Sequence, residues 1–367
     1  VTPAELSRTV LRSVRGAVAE QELSVPVPAR VVVQRPPRPG CGDYASNVAL
    51  QLAQAAGRPA REVAEVLRKR LVGCAGIARV EIAGPGFLNF TLGEGAQAAL
   101  VRGILAQGAR YGVTPGGPVR TAGGPARLPD GARGVVVGEA LERIDAAAGL
   151  RLPSPESGEP SAQAELVRLV ARLGADEVRW ALLRPAAHDP VRLPERPEQR
   201  ESNPRFRVQY AYARARAVVR NARELGFAGE PGDEPGAWGE LTGESGDAAG
   251  APGAVVPADA SGAVVMSYSA SAAHGPRPSR AALSGLLAGF PDVVEAAARH
   301  RAPDRLVRHL EAVAEAFFRW HDGCPPLPAG EEKPSAVHRA RVALAEATGT
   351  VLANGLRLLG ISAPEHL

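Results

Sequence analysis

Apolar residues near the start of the chain recur at three- and four-residue steps. Leu6, Val10, Leu11, Val14 and Val18 therefore fall on one side of a helix. Residues 30–34, Arg-Val-Val-Val-Gln, break that rhythm with a β-branched run and predict a strand. Gly42-Asp43-Tyr44 predicts a turn, with Asp43 as a cap, into a helix carrying Val48, Leu52 and Ala55. Gly57 closes that helix, and Pro59 opens another with Val63, Val66, Leu67 and Leu71 on one face. Residues 79–83 and 86–92 predict two short strands on either side of Gly84-Pro85, followed by a helix to about Gly108. This order predicts a small α/β domain over 1–111, with helices backing one face of a sheet.

The periodicity dissolves after Gly112. Residues 112–161, rich in Gly and Pro, predict a flexible linker with one short element near 135–149. A flexible coil of that length reaches ~40 Å. From Ala162 to the C-terminus the pattern is helical, with helices expected near 281–299, 303–321 and 335–358. The tract at about 228–279, dominated by Gly, Ala, Pro and Ser, predicts a disordered insertion. The fold class is thus multidomain α+β: a small N-terminal α/β domain, a flexible linker and a C-terminal all-α helical bundle over 162–367.

The longest uninterrupted helix pattern, residues 203–226, adds chemistry. Asn203 is placed to cap and Pro204 suits the first helical position. Phe206, Tyr210, Ala213, Ala217, Val218 and Asn221 predict a buried stripe, with Arg205, Arg207, Arg214, Arg216, Arg220 and Arg223 around the remainder. Aromatic rings stack on unpaired bases and guanidinium groups bind phosphate, so the helix suits RNA; an arginine-rich solvated helix is the plainer alternative. The net charge of +4 is carried almost wholly by arginine, since Lys69 and Lys333 are the only lysines, and high-GC coding accounts for part of that excess. Cys41, Cys74 and Cys324 are too far apart for a zinc motif or a disulfide framework, which fits a reducing cytoplasm. No apolar run reaches the length of a membrane span, so no membrane partner is expected.

Asn203-Pro204, Val208-Gln209-Tyr210-Ala211 and Ala213-Arg214 together resemble the NP…VQYAHAR signature that opens the anticodon-binding domain of arginyl-tRNA synthetases. The closing segment 351–365, VLANGLRLLGISAPE, is similar to the end of the same enzymes. Residues 42–67 and 80–92 resemble their additional N-terminal domain, and Gly174-Ala175-Asp176-Glu177-Val178-Arg179 resembles the GADAxR segment after the catalytic domain. The resemblance covers roughly 1–111 and 162–367.

It implies contact with the elbow of tRNA, near a D-loop base, through Phe87 for stacking and Asn89 for a base-edge hydrogen bond. Alternation along a strand puts Phe87, Asn89 and Thr91 on one face and Leu88 and Phe90 on the other, leaving core packing of Phe87 as the alternative. On the anticodon side it implies Gln209, Tyr210, Tyr212, Arg214 and Arg216, then Trp320 and His321, then the terminal Leu367. Tyr212, His321 and Leu367 depart from the family's residues. The catalytic domain of the family is missing. None of the seven histidines lies in an HxGH motif, no KMSK-like run exists, and fifty residues between the two domains cannot hold a nucleotide-binding sheet. The ATP site is accordingly expected to be lost, with no catalytic residue, cofactor or metal. The expected partner is tRNA, arginine isoacceptors among the candidates. The sequence leaves open a tRNA-binding protein without catalysis, a subunit acting with a separate full-length or catalytic synthetase, and an interaction module that has lost RNA binding.

Overall fold

The computed structural model describes residues 3–34, 36, 42–93, 95–113, 128–150, 160–196, 200, 202–232 and 280–367. The N-terminal part comprises α1 (Pro3–Ala19), β1 (Val33–Gln34), β2 (Tyr44–Ser46), α2 (Val48–Ala56), α3 (Ala60–Leu71), β3 (Ile77–Ala83) and β4 (Phe87–Leu92). Its four strands form an antiparallel sheet in the order β1-β2-β4-β3. Leu6, Val10 and Val14 of α1, Val63, Leu67 and Leu71 of α3, and Leu88 and Phe90 of β4 share one core.

Strand β2 was not expected. Tyr44 pairs with Phe90 and Ser46 with Leu88, and Asp43 does not cap a helix. Its Oδ2 instead accepts from the backbone N–H of Leu92 at 2.8 Å, tying the entry of β2 to the end of β4. A three-residue strand is too short for alternation to reveal.

The C-terminal part comprises α4 (Gly95–Gln107), a 3-10 turn (Gly108–Arg110), α5 (Gly131–Ala147), α6 (Pro160–Leu173), α7 (Ala175–Leu183), α8 (Pro204–Glu224), α9 (Arg280–Arg299), α10 (Asp304–Gly323) and α11 (Ala336–Leu359). Two expectations change. The helix ending near 108 was assigned to the N-terminal domain, yet Ala98, Val101 and Ile104 of α4 lie in the helical core. Residues 112–161 were read as a flexible linker, yet within them α5 buries Val136, Ala140, Leu141 and Ile144 in the same core. The short element foreseen near 135–149 is this 17-residue helix. Glycines at 131, 134 and 138 diluted its apolar pattern, and the ~40 Å coil reach does not apply to an ordered helix. Residues 114–127 and 151–159, and 233–279 of the expected insertion, lie outside the described residues.

The closing motif serves this core. Asn354 donates from Nδ2 to the carbonyls of Gly108 (2.9 Å) and Tyr111 (3.1 Å), fastening the 3-10 turn to α11. A Cβ on Gly355 would lie 2.4 Å from Leu310 Cδ2, so glycine permits α10 and α11 to approach. Gly360, at φ +71°, ends α11 in the left-handed region and donates its N–H back to Arg357 and Leu356.

Candidate nucleic-acid interface

Helix α8 organises the helical domain. Asn203 caps it, accepting from the Arg205 N–H at 3.0 Å. Its buried stripe is Val208, Ala211, Ala215, Val218, Val219 and Ala222, offset from the expected one. The small residues let α8 lie against α11, where a Cβ on Gly349 would sit 3.5 Å from Ala215 Cβ. Phe206 and Tyr210, too large for that contact, are displaced to the half-buried flank facing α10.

There they form a strip of rings. Phe206 and Tyr210 stack with centroids 6.0 Å apart and planes within 5°. Tyr210 continues onto Phe318 of α10 at 5.6 Å and 26°. Arg207 lies over the Phe318 ring at 5.7 Å and pairs with Glu315. One turn on from Tyr210, Arg214 is exposed and makes no ion pair among the described residues. His321, one turn on from Phe318, packs against Phe317 at 5.8 Å and feels the Arg214 charge. This is a half-exposed aromatic surface, two of its edges carrying guanidinium groups. Such a surface accepts unstacked bases and their phosphates.

Phe318 was missed as a candidate, and Arg207 was counted only among the arginines outside the expected stripe. The signal was present in Phe317-Phe318: the buried stripe of α10 runs through Leu306, Leu310, Val313, Phe317 and Trp320. Phe318, 100° from Phe317, must leave it.

Two sequence candidates drop out of this surface. Gln209 is buried, and its Nε2 donates to Asp176 Oδ2 (2.9 Å) and to the Ser362 carbonyl (2.9 Å), while its Oε1 accepts from Arg205. It is committed to holding α7, α8 and the C-terminal tail together, so base reading is not open to it. Trp320 is buried in the core beside Phe317 at 5.8 Å, which removes it as a stacking platform. Arg205, expected on the outer face, is buried in an ion pair with Glu177 at 2.8 Å.

The remaining candidates are spread around α8. Tyr212 is buried on the α11 side, and burial raises its pKa. Arg216, 200° around the helix from Arg214, pairs with Glu365 at 3.0 Å. Leu367 is exposed at the end of the tail.

In the N-terminal part, Leu88 and Phe90 face the helices and Phe87 is 39% exposed at the start of β4. Core packing is therefore not its role. Asn89 is largely buried in the sheet opposite Glu81 and Ala45, and its side-chain amide makes no hydrogen bond among the described residues. No group of residues suited to a metal occurs among the described residues, nor does any helix long and apolar enough to cross a membrane.

Burial, then the Arg214 charge, lowers the pKa of His321 below its ordinary 6.5. The unfolded chain consequently binds the proton more readily, and stability falls as pH drops below the unfolded value. Urea midpoints measured from about pH 7.5 to pH 5 should decline. The decline should be shallower in His321→Gln; an identical slope in that variant would exclude His321 as its source.

The comparisons with known proteins fall on both parts. The profile described as the arginyl tRNA synthetase N terminal domain matches residues 8–92, and that of the DALR anticodon binding domain matches 263–367. A solved Thermus thermophilus arginyl-tRNA synthetase superimposes with a TM-score of 0.55 at 16% identity, covering 100% of both chains. An arginine–tRNA ligase of Renibacterium salmoninarum is 26% identical over 595 residues, covering 100% of each chain. That of Frankia alni is 46% identical over 165 residues, 41% of this chain and 28% of its own. That of Pseudarthrobacter chlorophenolicus is 38% identical over 205 residues, 55% of this chain and 31% of its own. The chain belongs to the arginyl-tRNA synthetase family. It spans about three-tenths of the length of the latter two relatives. The first alignment needs 595 positions for a chain of 367, so its shortfall is internal.

Proposed function

We propose that this chain binds tRNA through both of its parts and does not aminoacylate it unaided. The observation that carries the reading is the strip Phe206–Tyr210–Phe318 flanked by Arg207 and Arg214, in which Phe318 of α10 lies within the matched anticodon-binding segment and α8 packs against it. Stacking rings beside guanidinium groups suit the unpaired bases of an anticodon loop. The exposed Phe87 of the N-terminal part supplies a second contact, toward the tRNA elbow. Two weak contacts on one rigid RNA reinforce each other when the protein spans them.

The full sequence contains no HxGH or KMSK-like signature, which supports catalytic silence. Incubation with ATP, arginine and tRNA should yield no arginyl-tRNA above background; charging that scales with this chain would overturn that part of the reading. A second reading, a tRNA-binding subunit serving a separate catalytic chain, is favoured by the internal shortfall against the Renibacterium relative. Charging that appears only when a catalytic synthetase is added, and exceeds that synthetase alone, would select it.

Phe87→Ala is expected to weaken tRNA binding by about 1–3 kcal/mol, a loss of roughly 5- to 150-fold. The exposed ring contributes little to the core, so the urea midpoint should hold. Unchanged affinity would remove the sheet from the interface.

A further inference from the structure

Among the described residues, three acidic side chains hold arginines of α8, and they divide into two kinds. Glu177 pairs with Arg205 inside the domain, at 7% and 10% side-chain exposure. Glu315 pairs with Arg207 at 41% and 44%, and Glu365 pairs with Arg216 at 47% and 30%. The inner pair is shut away from solvent, and its opening would leave a buried charge. The outer pairs are half-exposed, and pairs of that kind are worth ~0–1 kcal/mol, so a competing anion opens them readily. Both sit beside the aromatic strip or the tail: Glu315 under Arg207 and Phe318, Glu365 two residues short of Leu367.

We infer that Glu315 and Glu365 are selectivity residues, carboxylates that occupy Arg207 and Arg216 and admit only an RNA able to displace them. The inference rests on the proposed tRNA-binding role. A phosphodiester competing for either guanidinium must expel a carboxylate of like charge. A bare polyanion has nothing to offset that exchange. An RNA that also stacks bases on Tyr210 and Phe318 gains affinity elsewhere and tolerates it. Arg214, outside these pairs, offers its charge to any RNA. Glu315 is shared further with Arg319 at 3.5 Å, so its release also frees a second cation on α10.

The test is affinity for a short abasic oligoribonucleotide, which has phosphates but no base to stack, and for tRNA, across a salt series, with wild type, the double variant Glu315→Gln/Glu365→Gln and the control Glu295→Gln. The control removes an equal kind of charge from α9, where Glu295 pairs with Arg299. The double variant should bind the abasic strand about tenfold more tightly. Phosphate contacts at Arg207, Arg216 and Arg319 should steepen its log–log salt slope by up to about 2.1. The gain for tRNA should be smaller, and Glu295→Gln should match wild type. A double variant indistinguishable from wild type, or from the control, overturns the inference while leaving RNA binding intact. If wild type and variant both fail to hold either RNA at low salt, the tRNA-binding role itself is wrong, and the inference falls with it.

Discussion

Glu177→Ala is expected to destabilise the protein by about 3–5 kcal/mol, because it strands a buried guanidinium. Arg205 Nε donates to Glu177 Oε2 at 2.8 Å, and Asn203 Nδ2 donates to the same oxygen at 2.9 Å. One carboxylate thus holds both the cap and the first turn of α8. The neighbouring Asp176 accepts from Gln209, from the Ser362 N–H at 3.0 Å and from the Ser362 hydroxyl. Together these two acids join α7, α8 and the tail, so loss of either side is felt by all three. Urea unfolding measures the effect directly. A cost below about 1 kcal/mol would mean that Arg205 finds water or another partner, and that the network is not what seats α8.

The second large effect concerns RNA. Tyr210→Ala with Arg214→Ala should weaken tRNA binding about 100-fold at physiological salt, from one lost base stack and one lost phosphate contact. The two contributions separate by salt dependence. Tyr210→Ala alone should leave the log–log slope unchanged, whereas Arg214→Ala alone should flatten it by about 0.7, the value for a single-stranded contact. Tyr210 touches both Phe206 and Phe318, so the strip loses its middle ring while the buried stripe of α8 is untouched. Wild-type affinity in the double variant, with folding intact, would remove the α8–α10 surface from the interface.

Much of this molecule was legible in the sequence, and the failures have physical causes. The long helices announced themselves: α10 and α11 were expected at 303–321 and 335–358 and occur at Asp304–Gly323 and Ala336–Leu359. Strong periodicity over many turns leaves little ambiguity. Helix α5 was only glimpsed, because its glycines weaken the local signal and tertiary packing supplies what propensity lacks. On α8 the sequence favoured the bulky Phe206 and Tyr210 for the core, whereas close helix packing selects alanines. The family resemblance implied RNA contact for Gln209 and Trp320, but sequence alone does not show where a side chain is already engaged. Here Gln209 is bonded to Asp176 and Ser362, and Trp320 is sealed in the core. Conversely, the adjacent Phe317-Phe318 already required one ring to leave the core of α10, and the structure shows that it is Phe318.

A synthetase-family chain without the catalytic signatures is expected to retain recognition of tRNA. The most direct measurement is to incubate the purified protein with total cellular tRNA at physiological salt and sequence what remains bound. The account predicts retained tRNA enriched in arginine isoacceptors. Retention of no tRNA, or of all tRNAs without enrichment of arginine isoacceptors, would contradict it.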